Sequence, residues 1–310
     1  MKQEGLVIKS TGSRYRVLYG DLRVAECAIK GKFRVRGGLK TTNPVAVGDR
    51  VLFEFEPGTA AGIITDLLDR KNYILRRASN LSKQVQILAA NVDHVFLMVT
   101  ISHPLTQPEF IDRFLISAEA YRIPAGLIIN KTDLYTAGDT EKMEHMISVY
   151  EKIGYKCYRL SVREQIGLEP LIDCLKGKIS LIAGNSGVGK TTLLNTLNPE
   201  LNLKTAKISD YHKQGKHITT FPEMHSLPFG GYLIDSPGIK GFGMVDMQRN
   251  EIYHFFPEIF RISENCKFYN CLHLDEPGCA VRLAVEEGDI DPLRYRSYLN
   301  IIEDENRKYR

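Results

Sequence analysis

The sequence predicts a multidomain α/β protein of three segments: a β-barrel over residues 1–70, a parallel sheet with helices over residues 71–244, and a helical segment over residues 245–310. Three observations indicate this fold class. Short β-rich runs alternate with turns in the first segment, apolar runs alternate with helical stretches in the second, and cysteines and a histidine lie among helices in the third. The length of 310 residues suits two or three domains, since a domain usually has roughly 100–200 residues.

The composition excludes fibrous, low-complexity and disordered proteins, because 43% of the residues are hydrophobic and 25% are charged. No apolar run approaches the roughly 18–20 residues that span a bilayer, and the N-terminal sequence MKQEGLVIKS resembles no signal peptide. Six cysteines in such a chain do not suggest a disulfide framework. We therefore expect a cytoplasmic protein without a membrane partner.

The charge is distributed unevenly along the chain. Residues 1–40 carry ten Lys or Arg against three acidic residues, whereas residues 245–310 carry nine against thirteen. This asymmetry indicates a polyanionic partner at the N-terminal end. A solvated basic surface is the alternative.

The first segment contains five β-rich runs: Gly5–Ser10, Tyr15–Tyr19, Arg23–Ile29, Arg50–Glu56 and Ala61–Asp66. This number of short strands fits an oligonucleotide-binding (OB) type of barrel. Basic residues interleave with Tyr15, Tyr19 and Phe33, whose rings offer stacking surfaces for bases. The pattern does not distinguish this barrel from an SH3-like one.

The second segment alternates strands with helices. The apolar runs are Val95–Thr100, Ala125–Asn130, Lys156–Val162, Ile179–Gly184 and Gly231–Asp235, and the helical stretches are Pro108–Tyr121, Thr140–Ile153 and Leu168–Leu175. This alternation is typical of βαβ units and of a parallel sheet covered on both faces.

A phosphate cradle follows one of these strands. The segment Gly184-Asn185-Ser186-Gly187-Val188-Gly189-Lys190-Thr191 fits GxxxxGK[ST] in full, and Thr192 continues it into a helix. Backbone N–H groups of such a loop surround phosphates, and the helix N-terminus adds its positive end. We expect Lys190 to pair with the β- and γ-phosphates and the Thr191 hydroxyl to bind Mg²⁺.

Further Mg²⁺ and γ-phosphate contacts are expected downstream. Asp235 ends an apolar strand and begins the pattern DxxG, so its carboxylate can hold Mg²⁺ while Gly238 donates its N–H to the γ-phosphate. Between the cradle and this pattern lies Lys216-His217-Ile218-Thr219-Thr220. A threonine of that loop would complete the Mg²⁺ shell, and the sequence does not separate Thr219 from Thr220.

The segment expected to bind the nucleobase is Asn130-Lys131-Thr132-Asp133, which fits the pattern NKxD at the end of a strand. A carboxylate at Asp133 accepts from both N1–H and N2–H₂ of guanine. Adenine offers no such pair and would leave a buried Asp133 unsatisfied, a rejection on the order of 10⁴-fold. Asn130 is expected to join neighbouring loops, the Lys131 stem to cover the base, and Ser161 to contact the base through its backbone.

The order of the motifs is unusual, because NKxD precedes the phosphate cradle. A site depends on where strands lie in space, so a circularly permuted chain can build the same nucleotide site. The permutation also makes the segment after Asp235–Gly238 lead directly into the C-terminal tail, which couples a γ-phosphate sensor to another domain.

The tail contains Cys266, Cys271, His273 and Cys279. Three thiolates and an imidazole suit a closed, structural Zn²⁺ site. Such a site stabilises a small domain whose core is limited. Unrelated buried cysteines are the alternative, and we expect that role for Cys27, Cys157 and Cys174.

The chain resembles the small-ribosomal-subunit-dependent GTPase A (RsgA) family over essentially all 310 residues. The resemblance rests on Val47-Gly48-Asp49-Arg50-Val51 in the barrel and on the NKTD, GNSGVGKT, GKHITT, DSPG and zinc-ligand motifs, in that order. It implies a late assembly factor of the small ribosomal subunit that hydrolyses GTP in response to the subunit. It further implies a barrel that touches ribosomal RNA, Mg²⁺ with GTP, one structural Zn²⁺ and a monomeric chain. One departure is Ile218, which stands where the family usually has the first of three threonines.

The residue after the DxxG pattern is Ile239, which cannot hydrogen-bond water. We therefore expect slow intrinsic hydrolysis and take His217 as the hypothetical water-positioning group. A histidine that only anchors its loop is the alternative. Two other functions compete: a GTP-gated RNA-binding module with incidental hydrolysis, and an ATP-dependent or metal-handling protein, which NKTD and the saturated four-ligand site disfavour.

Overall fold

The computed structural model describes residues 2–29, 43–77, 85–204, 222–235 and 247–308. Its strands are β1 (Gln3–Ser10), β2 (Tyr15–Tyr19), β3 (Arg23–Ile29), β4 (Arg50–Phe55), β5 (Gly62–Leu67), β6 (Tyr73–Arg77), β7 (Val85–Ala90), β8 (His94–Val99), β9 (Ala125–Ile129), β10 (Lys156–Arg159), β11 (Ile179–Gly184), β12 (Glu223–Ser226) and β13 (Tyr232–Asp235). Its α-helices are α1 (Pro108–Ala120), α2 (Ala137–Ile153), α3 (Leu168–Leu175), α4 (Lys190–Leu197), α5 (Pro257–Ser263), α6 (Ala280–Glu286) and α7 (Pro292–Lys308).

The first five strands form a closed barrel. They follow the order β1-β2-β3-β5-β4, and β4 pairs again with β1. The β3–β5 pair is parallel and the other neighbours are antiparallel. Alternate residues point inward, so Val7, Val17, Phe53 and Ile64 are completely buried in the barrel core. The predicted N-terminal barrel is confirmed, and its five-stranded ring fits the OB type.

A buried junction connects the barrel to the segment that follows it. Gly48 has φ of +92°, and a Cβ at this position would lie 2.0 Å from the carbonyl oxygen of Ala90. The neighbouring Asp49 is buried and receives two hydrogen bonds from Arg70, at 2.6 and 2.7 Å. Close backbone approach therefore requires glycine here, and the bidentate ion pair holds the end of the barrel in place.

The central sheet has the spatial order β10-β9-β8-β11-β13-β12. Its first five strands are parallel, and β12 adds an antiparallel edge. Along β8, Val95 and Leu97 pack with residues of α1 and α2, whereas Phe96 and Met98 pack with residues of α3 and α4. Both faces of the sheet are thus covered, as the βαβ pattern predicts.

Three strands lie outside the sequence-based expectation. The β6–β7 hairpin is tied to the barrel side by Asn43, whose side chain pairs with both backbone groups of Ile87. Strand β12 has only four residues and joins the two large units, because Lys9 of β1 lies opposite Glu223. Because β12 pairs with both β1 and β13, the barrel and the central sheet form one continuous sheet. The Lys9 ammonium also donates to the Glu223 carboxylate at 2.8 Å.

The tail packs its helices on α1. Ile116 of α1 lies in the same apolar cluster as Phe256, Ile259 and Tyr298 of the tail. Beside this cluster, Arg294 of α7 donates to Asp112 of α1. Among the described residues, none of the helices combines the length and the apolar character that crossing a bilayer requires.

Candidate nucleotide site and metal centre

The parallel strands bring the predicted nucleotide motifs to one edge of the sheet. Strands β8, β9, β11 and β13 run in the same direction, so their carboxyl ends meet there. The NKTD segment follows β9, the phosphate cradle follows β11, and Asp235 ends β13. Ligands of open α/β sheets bind at such carboxyl ends.

Two glycines of the cradle are required by close contacts. Gly184 has φ of +151°, and a Cβ there would lie 2.4 Å from the carbonyl oxygen of Met98. Gly189 has φ of +109°, and its Cβ would lie 2.4 Å from the side-chain nitrogen of Asn130. The glycines therefore let the cradle pass close to β8 and to the NKTD segment.

Lys190 lies at the first residue of α4, where the predicted phosphate contacts converge. Its ammonium donates to the carbonyl oxygens of Gly184 at 2.7 Å and Asn185 at 3.0 Å. Burial lowers the pKa of Lys190, and the negative charge of Asp235 opposes this shift. Thr191 is half-buried and Thr192 is exposed in the same turn. A cation and the N-terminus of a helix thus lie together, which suits an anionic ligand.

Asp235 is buried at the end of β13 and lies opposite Ile182 of β11 in the strand register. This position places a carboxylate beside the strand that enters the cradle. The remaining predicted Mg²⁺, γ-phosphate and catalytic groups (His217, Thr219, Thr220 and Gly238), together with Ile239, lie outside the described residues.

Asn130 physically joins the base motif to the cradle. It is 3% exposed, and its side chain donates to the carbonyl oxygen of Val188 at 2.8 Å. Its side-chain oxygen accepts from the N–H of Val162 at 3.1 Å. One amide therefore fixes three loops relative to each other, which is the arrangement expected from the sequence.

Asp133 and Lys131 lie next to each other on the rim of the site. The Ser161 hydroxyl donates to the Asp133 carboxylate at 2.5 Å. Lys131 has φ of +67°, and its ammonium donates to the carbonyl oxygen of His103 at 2.6 Å. Burial lowers the pKa of Lys131, against the nearby charge of Asp133. The lysine stem thus lies between the NKTD turn and the loop that follows β8.

Two observations bear on the expectations for Ser161 and Asp133. The backbone N–H and C=O of Ser161 pair with Ile166 at 3.1 and 2.9 Å, so the part of Ser161 that faces Asp133 is its hydroxyl, not its backbone. Asp133 is exposed, not buried, because it lies on a surface 3-10 helix, Thr132–Leu134. A ligand that covered Asp133 would therefore desolvate its carboxylate.

Sequence reasoning missed Tyr135, which directly follows the base motif. Its hydroxyl donates to the carbonyl oxygen of Asn130 at 2.6 Å and accepts from the N–H of Ile101 at 2.9 Å. The only signal in the sequence is a polar aromatic residue close behind NKTD, which is too common to indicate a role.

The tail brings its four predicted metal ligands together. The ligand atoms of Cys266, Cys271, His273 and Cys279 all lie within 4.8 Å of one another. His273 Nδ1 lies 3.5 Å from the sulfur atoms of both Cys266 and Cys279. This soft, compact donor set fits one tetrahedral Zn²⁺. Burial raises the pKa of the Cys271 thiol to about 12, so a bound cation is needed to hold it as a thiolate.

Three side chains form hydrogen bonds with the backbone of the loop that carries these ligands. The Glu276 carboxylate accepts from the N–H groups of Leu272 and Leu274, both at 2.8 Å. Tyr295 and Tyr298 of α7 donate to the carbonyl oxygens of His273 and Leu272, both at 2.6 Å. These bonds orient the ligands from outside the cluster, which is how many metal sites fix their geometry.

The nucleotide motifs are contiguous in space although their chain order is rearranged. Strand β11, which carries the cradle, lies between β8 and β13, yet the NKTD segment precedes it in the sequence. Guanine-type base recognition combined with this topology defines the class of circularly permuted GTPases.

Comparison with known proteins identifies the family within this class. The model of the RsgA GTPase family matches residues 67–245, and that of the RsgA N-terminal domain matches residues 4–64. The chain belongs to the RsgA GTPase family.

Similar proteins cover the whole chain. A small ribosomal subunit biogenesis GTPase RsgA of Phocaeicola vulgatus is 55% identical over 309 residues, 99% of both chains. A Bacteroides fragilis protein of the same name is 53% identical over the same shares. Among solved structures, YjeQ from Thermotoga maritima has a TM-score of 0.77 at 33% identity, covering 98% of both chains. YloQ, described as a circularly permuted GTPase, has a TM-score of 0.73 at 30% identity, covering 98% of this chain and 95% of its own.

Proposed function

We propose that this chain binds GTP with Mg²⁺ at the carboxyl edge of the central sheet and hydrolyses it when it is docked on the small ribosomal subunit. The observation that carries this proposal is the Asn130 side chain, which donates to Val188 of the cradle at 2.8 Å. This bond supports the proposal, because it keeps residues 130–133 next to residues 184–192, as binding of one nucleotide by both segments requires.

The triphosphate would lie in residues 184–192. Lys190 is the cation for the β- and γ-phosphates, and its present contacts with two loop carbonyls would be exchanged for phosphate oxygens. Thr191 and Asp235 are the proposed Mg²⁺-binding groups, and Thr219 or Thr220 is the third. Mg²⁺ neutralises charge on the phosphates when it is bound. Gly238 is the proposed γ-phosphate donor.

The base would lie over residues 130–133. The Asp133 carboxylate accepts from N1–H and N2–H₂ of guanine, and Ser161 fixes the direction of its oxygens. Lys131 packs its stem along the base plane while His103 holds its ammonium. Adenine leaves this carboxylate without donors, so guanine is the base that the site selects.

The partner follows from the relatives' names, which identify them as GTPases of small ribosomal subunit biogenesis. The N-terminal segment is the proposed contact with ribosomal RNA, because its strands form a closed barrel and the sequence of residues 1–40 carries an excess of positive charge. The tail would hold one structural Zn²⁺ through Cys266, Cys271, His273 and Cys279. We propose a monomer whose working units are residues 1–70, 71–244 and 245–310.

Hydrolysis would be slow until the partner completes the site. Ile239 follows the DxxG pattern and cannot orient water, so His217 is the proposed water-positioning residue. A slow GTPase of this kind reports on its partner: the GTP form binds, the correct surface triggers hydrolysis, and the GDP form leaves.

The test is nucleotide turnover by the full chain with and without purified small ribosomal subunits, with GTP compared to ATP. We expect the chain to hydrolyse GTP but not ATP, and the small subunits to accelerate this hydrolysis. The His217→Ala variant should lose the acceleration by the subunits. Turnover of ATP at the same rate would refute base selection. Absence of acceleration, with GTP still bound, would favour the second candidate, a GTP-gated RNA-binding module, for which Ile239 is the supporting observation.

A further inference from the structure

The side chain of Tyr135 bonds back to the base motif, residues 130–133, although Tyr135 lies outside that motif. Tyr135 follows the 3-10 helix Thr132–Leu134, and its hydroxyl reaches back to donate to the carbonyl oxygen of Asn130 at 2.6 Å. This bond closes a ring around Asp133, the residue that would read the base. Tyr135 thus fixes the backbone of the turn that carries Asp133, while the Ser161 hydroxyl donates to the Asp133 carboxylate itself.

The same hydroxyl connects the base motif to the loop that follows β8. It accepts from the N–H of Ile101 at 2.9 Å, while the carbonyl oxygen of His103 in that loop accepts from the Lys131 ammonium. Thr106 closes this loop, donating its N–H to the carbonyl oxygen of Thr100 at 3.0 Å. Two bonds thus hold the loop against the base motif, and one of them is made by Tyr135.

The backbone between these bonds is strained. Lys131 has φ of +67° and ψ of +32°, the left-handed region, which is unfavourable for a residue with a Cβ. The Asn130 carbonyl that Tyr135 holds belongs to the peptide directly before Lys131. Such strained residues persist where surrounding contacts fix them, and they cluster at ligand sites.

We propose that Tyr135 is a positioning residue of the nucleobase site, which bridges Asn130 and Ile101 and so holds Lys131 and Asp133 in the geometry that reads guanine. This inference rests on the proposed function, since it concerns the same site. Burial raises the pKa of the Tyr135 phenol to about 12, so its hydroxyl keeps the proton that it donates at neutral pH.

The test is Tyr135→Phe in the full chain, with GDP and IDP affinities measured by calorimetry. Inosine lacks the N2 amine, so the ratio of the two affinities reports how well Asp133 faces the base. The variant is expected to bind GDP about 10-fold more weakly and to lose at least about half of the GDP preference over IDP, because each lost hydrogen bond weakens the fixed geometry.

The matched control is Tyr155→Phe, which removes a buried phenol hydroxyl that donates to Glu119 at 3.0 Å, away from the base motif. It is expected to lower stability without changing the GDP to IDP ratio. An unchanged ratio in Tyr135→Phe, with wild-type binding intact, would overturn this inference alone. Failure of the wild-type chain to bind GDP would refute the proposed function and this inference with it.

A second measurement decides the matter if Tyr135→Phe does not fold. Hydrogen exchange of the wild-type chain over residues 101–106 and 130–135 is measured with and without GDP. Slower exchange of the Ile101 N–H, which donates to the Tyr135 hydroxyl, together with residues 130–135 on GDP addition supports the bridge through Tyr135. Protection of residues 130–135 with unchanged exchange at 101–106 would overturn it.

Discussion

Replacing Asn130 by alanine removes the side chain that joins the base motif to the phosphate cradle. The Val188 carbonyl and the Val162 N–H then lose their side-chain partner, in a region where Asn130 itself is 3% exposed. Each buried polar group left without a partner costs about 1–3 kcal/mol, so the loss of two partners should lower the free energy of unfolding by roughly 2–6 kcal/mol. The loops should also lose their fixed relation, which weakens GDP binding by roughly 10–100-fold.

The matched control is Asn43→Ala. Asn43 is 5% exposed, and its side chain makes the same pair of bonds to a backbone C=O and N–H, those of Ile87, near the barrel. Chemical denaturation should therefore show similar losses of stability for both variants, while calorimetry with GDP should show a loss of affinity only for Asn130→Ala. If both variants lose the same stability but bind GDP like the wild type, Asn130 contributes only to stability and does not position the nucleotide-binding loops.

Three further predictions concern the base, the metal and pH. Asp133→Asn should lower GDP affinity on the order of 10⁴-fold and should instead bind xanthosine diphosphate (XDP), because an amide can donate to the 2-carbonyl of xanthine. Calorimetry with both nucleotides checks this prediction, and unaltered GDP affinity would contradict it. Cys271→Ser should lose the one Zn²⁺ per chain measured by elemental analysis, whereas Cys174→Ser, outside the cluster, should keep it. Burial lowers the pKa of His225 and His94 below 6.5, so the unfolded chain binds more protons and stability should fall as the pH decreases through that value. Denaturation from about pH 7.5 to about 5.5 should show a smaller slope for His225→Gln, and an equal slope would exclude His225 as a contributor.

The sequence was sufficient where a local pattern determines the structure. The five barrel strands lie within two residues of their predicted bounds, because alternating apolar residues and turns specify each strand locally. Helix α2 begins at Ala137, three residues before the predicted start, because Thr136 and Asp139 form a capping box. Their spacing follows the rule for such caps. This boundary could have been predicted from the chain itself.

Long-range contacts were beyond the sequence. Strand β12 exists because β13 and Lys9 of the barrel flank it, and four residues carry no periodicity that would reveal them. The roles of Tyr135 and of the Ser161 hydroxyl depend on where β8 and β10 place their loops. Such contacts arise from topology and not from the spacing of residues along the chain.

The tail contacts the nucleotide-site domain at several places on α1, which pairs with Arg294, Asn300 and Asp304 of α7. In sequence, the chain after Asp235 leads into the tail. Arg294 of α7 donates to Asp112 of α1 at 2.6 Å and to Glu258 of α5 at 2.8 Å. Arg294 is 2% exposed, and removing one partner of such a buried ion pair costs about 3–5 kcal/mol. Separation of α1 from the tail would therefore be energetically costly. Helix α1 begins at Pro108, directly after the loop in which the His103 carbonyl accepts from Lys131, so a displacement of the tail that carried α1 with it would act on the base motif.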